Sequence, residues 1–142
     1  MVRQFLDTRR AHLSVIVDDD RAAYPDPEHF ELAVSIGASI AVRAIRDELD
    51  TTVLAGRHPV HEGTVALALD AFARTELGGT PLSTLAARSV RIAPATSVAL
   101  MVTGSVPSLA DLRRAAAQFS SGVTVMVLRA DPTAQPLGAA PI

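Results

Sequence analysis

At 142 residues, 49% of them hydrophobic, the chain has the length of one domain with enough apolar material for a core, and no room for a second globular unit. All thirteen basic residues are Arg; without Lys there is no P-loop lysine, no Schiff base and no lysine partner for an acyl phosphate. Cys is also absent, which excludes disulfides, thiolate metal ligands and a cysteine nucleophile, and a formal charge of −2 with one Tyr and four Phe argues against nucleic-acid binding.

No apolar run has the length of a membrane span, and MVRQFLDTRR carries charge where a signal peptide needs an apolar centre, so the chain reads as soluble and cytoplasmic. MVRQF also reads as the continuation of an upstream strand, which points to a fragment of a longer protein. Leu13 to Val17 (LSVIV) is a short, β-branched apolar run that stops at Asp18, Asp19 and Asp20, the pattern of a buried parallel strand delivering polar groups to its carboxyl edge. After the loop RAAYPDPEHF, Asp26 is placed to cap a helix with Pro27 at its first position and Glu28 in its first turn. Phe30, Ala33, Val34, Gly37, Ile40, Ala41, Ala44 and Ile45 then recur at helical spacing, with Arg43, Arg46 and Asp47 towards water.

Thr51 to Ala55 reads as a second strand, and GRHPVHEG as a loop or brief edge strand, because Pro59 cannot serve a central ladder. A helix from about Thr64 to Glu76 is closed by Gly78 and Gly79, and Thr80 is expected to cap a further helix starting at Pro81 and running through LSTLAARSV. Ser97 to Thr103 is the third strand. Ser108 with Asp111 forms a capping box for LADLRRAAAQF, and Val123 to Leu128 is the last strand. The domain thus occupies residues 1–130, and residues 131–142, rich in Pro, Gly and Ala, are expected to form a flexible tail. Alternating strands and helices predict an α/β fold, a three-layer αβα arrangement around a mainly parallel, Rossmann-like sheet whose ligands bind at the strands' carboxyl ends. Asp18 to Ala22, Gly79 to Thr80 and Thr103 to Ser105 are the polar segments at that edge.

Three adjacent carboxylates at a buried strand end either raise one another's pKa or recruit a cation; the simpler reading is that Asp19 and Asp20 cap the loop and face water. VIVDDD resembles the first strand of a response-regulator receiver, but the middle strand ends in Leu54, Ala55 and Gly56 with no phosphoacceptor Asp, and no Lys exists. Asp18, Asp20 and Thr103 also resemble the haloacid-dehalogenase-type phosphatases, in which the first Asp attacks phosphorus and the second protonates the leaving group; Ala22 and the lack of paired acids after VTVMVL depart from that pattern. That match leaves a Mg²⁺-dependent phosphatase or phosphoryl acceptor as the alternative function. His58 and His61 form H-x-x-H beside Glu62 without a third placed ligand, His12 and His29 read as surface or capping residues, and Ser39 reads as a sheet-facing helical residue without a nucleophile elbow. Arg9 with Arg10, and Arg113 with Arg114, read as solvated faces that could meet an acidic partner.

A broader resemblance runs from about Val2 to Leu128. VRQFLDTRRAHLSVIVD, FELAVSIGASIAVRAI, VALALDAF and SVALMVTGS, in this order, resemble the carboxyl-terminal part of actinobacterial members of the domain-of-unknown-function 58 family, with its von Willebrand factor type A-like fold. The resemblance implies a non-enzymatic protein-interaction domain. Because such proteins are often membrane-anchored through upstream helices and encoded beside MoxR-type AAA ATPases, it also implies an ATPase of that type as partner and a cytoplasmic location as the soluble part of an anchored protein. Type A domains commonly hold Mg²⁺ through D-x-S-x-S, a loop Thr and a later Asp. Here Asp18 keeps the first place, Asp20 and Ala22 replace the two Ser, Thr80 matches the loop Thr, and Thr103 is followed by Gly104 instead of Asp. The resemblance therefore implies a degenerate metal site with Asp18, Asp20 and Thr80 as its remaining ligands, binding Mg²⁺ weakly or no cofactor at all.

Overall fold

The apolar runs LSVIV and SVALMVT become strands with buried residues on both faces, whereas VTVMVL becomes an edge strand with Met126 and Leu128 exposed. In the computed structural model, which describes residues 11–56 and 58–133, the strands are β1 (His12–Val17), β2 (Asp50–Ala55), β3 (His58–His61), β4 (Val98–Thr103) and β5 (Thr124–Arg129). The helices are α1 (Pro27–Arg46), α2 (Val65–Arg74), α3 (Leu82–Ile92) and α4 (Leu109–Ala116). Val15, Ile16 and Val17 on β1 are fully buried, each stabilising the fold by roughly 1.5–3 kcal/mol relative to exposure. The MVRQF segment, Arg9 with Arg10, and most of the expected flexible tail lie outside the described residues.

The sheet runs β3-β2-β1-β4-β5. β1 pairs in parallel with β2 and β4, β4 with β5 in parallel, and β3 antiparallel to β2. GRHPVHEG therefore contributes an edge strand, where the missing N–H of Pro59 is tolerated. One apolar cluster, including Val15, Val17, Phe30, Ala33, Ala41 and Phe72, lies between the sheet and the α1–α2 layer; another, including Ile16, Leu54, Leu85, Met101 and Leu112, lies under α3 and α4. The chain is thus a three-layer α/β domain with a mostly parallel, Rossmann-like sheet. Among the described residues, no helix is long and apolar enough to cross a membrane.

Two of the three caps expected from the sequence form, at Asp26 and at Ser108 with Asp111, and Thr64 adds one that was not expected. Asp26 accepts from Glu28 N, Thr64 from Leu67 N, and Ser108 with Asp111 closes the reciprocal capping box. Thr80 departs from its expectation: α3 begins at Leu82 with Pro81 as its cap residue and no side-chain cap. Ser39 is exposed, not sheet-facing. The buried stripe of α1 is Phe30, Ala33, Gly37, Ala41 and Ala44, and a residue two positions past Gly37 lies about 200° around the helix, on the wet side. His12 is also not at the surface: it is 4% exposed at the head of β1, and His29 is half-buried in the first turn of α1.

Candidate functional site at the carboxyl edge of the sheet

Strand order reverses at β1, since the chain builds β2 and β3 on one side and then crosses to place β4 and β5 on the other. Such a switch point opens a crevice beyond the carboxyl ends of the two central strands. Asp18 leaves β1 there, and its backbone N–H donates to Val102 O at 2.8 Å. The residue is 1% exposed. Oδ2 accepts the Thr103 hydroxyl at 2.7 Å, and Oδ1 accepts Asp20 N–H at 3.0 Å. Burial raises the Asp18 pKa to about 6, against the lowering pull of those two hydrogen bonds; the neighbouring Asp20 and Asp19 charges add to the rise.

Asp19 and Asp20 divide the roles expected of them together. Asp20 is half-buried and caps the single 3₁₀ turn Arg21–Ala23 by accepting Ala22 N–H at 3.0 Å, whereas Asp19 is buried at 6% exposure. The Gly78–Gly79 loop is tied to this run by Gly78 N–H donating to Asp19 O at 2.7 Å and Arg21 N–H donating to Gly78 O at 3.0 Å. Tyr24, which the sequence did not single out, turns its hydroxyl inward to donate to Asp18 O and packs edge-on against Phe30. Burial, with the three acidic neighbours, keeps that phenol protonated. Arg129 is the other unforeseen contributor: its guanidinium donates to Gly104 O at 3.1 Å and Pro107 O at 2.7 Å, fixing the loop after β4. No local pattern announces that role, because the carbonyls it binds precede it by 25 and 22 residues.

Asp18 and Asp20 line a cleft of about 320 Å³ together with Ala22, Pro81, Val106, Asp111 and Arg114. Thr80 does not share it; it lines a neighbouring hollow with Asp19, Gly56, Arg74 and Thr75. An octahedral Mg²⁺ site at about 2.0–2.1 Å from its oxygens does not fit this arrangement. Both Asp18 carboxylate oxygens are engaged by protein donors, Asp20 is engaged at Ala22, and Ala22 and Gly104 bring no side-chain oxygen. Among the described residues, the three adjacent acids do not gather their carboxylate oxygens into a common metal-holding group.

The hydrogen bond to Asp18 has a measurable consequence. Thr103→Val keeps the volume and removes the donor, so it should destabilise the fold by about 2 kcal/mol at pH 7.5, where Asp18 is ionised, and by about 1 kcal/mol or less at pH 4. Urea unfolding at the two pH values measures the difference.

Compared with family models, with curated proteins and with solved structures, the chain matches none of them. Fold and site define it by class alone, as a mostly parallel α/β domain with an acidic cleft at its topological switch point.

Proposed function

We propose that the chain is a non-enzymatic, type A-like protein-interaction domain that receives a partner at the carboxyl edge of its sheet without a metal ion. The cleft carries this reading. Its polar side chains are Asp18, Asp20, Ser83, Asp111 and Arg114, and Arg114 is already engaged by Asp111 at 3.1 Å, which leaves an acidic excess. Val106, at 55% exposure, lines the cleft, and Leu109, at 60%, opens α4 just beyond it. A partner segment with a basic side chain flanked by apolar ones matches that surface in charge and character. The sequence resemblance supplies the candidate, a MoxR-type AAA ATPase, and with it a cytoplasmic setting as the soluble part of a membrane-anchored protein. Phosphoryl transfer by Asp18 and Asp20 is disfavoured, since a nucleophilic carboxylate must reach substrate and Asp18 is enclosed on both oxygens.

The test is titration of a purified MoxR-type ATPase, with and without EDTA, against the wild type and Val106→Arg. Binding unaffected by EDTA and weakened at least tenfold, about 1.4 kcal/mol, by Val106→Arg is the expected result. Loss of binding in EDTA would restore a metal-dependent site, and absence of binding would remove this partner. Turnover of phosphomonoesters abolished by Asp20→Asn would replace the reading with the phosphatase alternative.

A further inference from the structure

The opposite edge of the sheet holds a second cluster that the carboxyl-edge cleft does not use. His12 opens β1, Asp50 opens β2 as its direct ladder partner, and Glu62 follows the last residue of β3. One ligand atom from each of the three lies within 4.8 Å of the others. They border an open hollow of about 620 Å³ lined also by Thr96, Ser97, Ser120 and Gly122. The sequence offered His58 and His61 as H-x-x-H beside Glu62 without a third ligand; the groups that Glu62 meets here come from positions 12 and 50, brought in by strand pairing.

The protons around Thr52 supply an independent constraint. Its hydroxyl oxygen lies 2.8 Å from His12 Nε2 and 3.0 Å from His61 Nδ1, and the two rings stack with centroids 5.7 Å apart. The far nitrogens both face one carboxylate oxygen: Glu62 Oε1 is 3.8 Å from His12 Nδ1 and 4.0 Å from His61 Nε2. A hydroxyl has a single proton to donate. If Thr52 donates to His61, then His12 must donate from Nε2, and its Nδ1 is left as a lone pair facing Glu62. If Thr52 donates to His12, the lone pair facing Glu62 is that of His61 Nε2. If Thr52 accepts from both rings, two lone pairs face it. Every neutral arrangement therefore sets an imidazole lone pair against a carboxylate, which is repulsive unless a cation, or a water donating to both, stands between them.

We propose that His12 Nδ1, Asp50 and Glu62 bind a divalent transition-metal ion of the zinc class at the amino-terminal edge of the sheet. Thr52 and His61 are positioning residues for it. Thr52 accepts from His12 Nε2–H and donates to His61 Nδ1, which turns His61 Nε2–H towards Glu62 Oε1, 4.0 Å away; this is the outer-shell pattern that orients metal-bound imidazole and carboxylate. One nitrogen with two carboxylates suits zinc at about 2.0–2.2 Å per bond. Ligand atoms bound at that length stand roughly 3.3 Å apart, inside the 4.8 Å that spans the three groups here, and Glu62, half-exposed, can close the remainder. The hollow beyond leaves a coordination position open to water or a small anionic ligand.

Untagged protein titrated with Zn²⁺ and, in parallel, with Co²⁺ provides the test. A raised melting temperature with Zn²⁺ and a visible d–d band with Co²⁺ are expected. Glu62→Gln and Asp50→Asn should each weaken Zn²⁺ binding at least tenfold with an unchanged circular dichroism spectrum, while Asp20→Asn, at the other edge, leaves it intact. No band and no thermal shift in the wild type would overturn the proposal. So would binding that survives both Glu62→Gln and Asp50→Asn, or that disappears with Asp20→Asn.

Discussion

Gly104→Ala is expected to cost the fold about 3 kcal/mol, visible as a lowered midpoint of urea unfolding with an unchanged slope. A Cβ at this position would stand 2.1 Å from Ala23 O, 2.9 Å from Ala23 C and 2.7 Å from Tyr24 Cδ1. Two of those obstacles are backbone, and neither side can yield cheaply. Ala23 O accepts Val106 N–H at 3.2 Å, Tyr24 is held between Asp18 O and the Phe30 ring, and Arg129 grips Gly104 O from the other side. The added methyl must therefore part the Arg21–Tyr24 segment from the loop after β4, which are the two walls of the acidic cleft. An unchanged midpoint would mean that the walls move independently. The same geometry explains why a glycine follows Thr103: Gly104→Asp, which would add the acid that type A metal sites carry there, is expected to open the cleft walls and not to complete a Mg²⁺ site.

Much of the architecture was legible because it rests on local chemistry. LSVIV and SVALMVT are buried on both faces and read as continuous apolar runs, and Asp26–Pro27 and Ser108 with Asp111 act within three residues of their own positions. What could not be read depends on separation. His12 looks like a polar residue ahead of a strand, and only pairing with β2 places its ring against Thr52, 40 positions away. Thr103 meets Asp18 across 85 positions, and Gly104 reads as a missing ligand until Ala23 is seen beneath it. Thr80 failed for a local reason: Pro81 takes the cap position itself, so the Thr hydroxyl is one residue too early to reach the first turn of α3.

Asp18→Asn is expected to stabilise the protein by about 2–3 kcal/mol at pH 7.5 and to remove a pH dependence that the wild type shows between pH 4 and 7. Asp18 titrates near 6 in the folded chain and at its ordinary value of 3.8 when unfolded, so between those values the folded state holds the extra proton. Stability then falls as pH rises. The contribution is fully present below about pH 4, declines through pH 6 and is gone above pH 7, a change of about 3 kcal/mol for this displacement. The amide can keep the local bonds: its oxygen accepts Asp20 N–H, and its nitrogen donates to the Thr103 hydroxyl, which can reverse its role. Equilibrium urea unfolding of both proteins from pH 4 to 8 isolates the group, because all other titrations are common to the pair. A variant less stable than the wild type at pH 7.5 would show that the ionised carboxylate is supported by more than its two donors. The expected cost of that charge has a functional side: a basic partner side chain seated in the cleft offsets the desolvation of Asp18, so binding should release a proton near pH 6 in the wild type and none in Asp18→Asn.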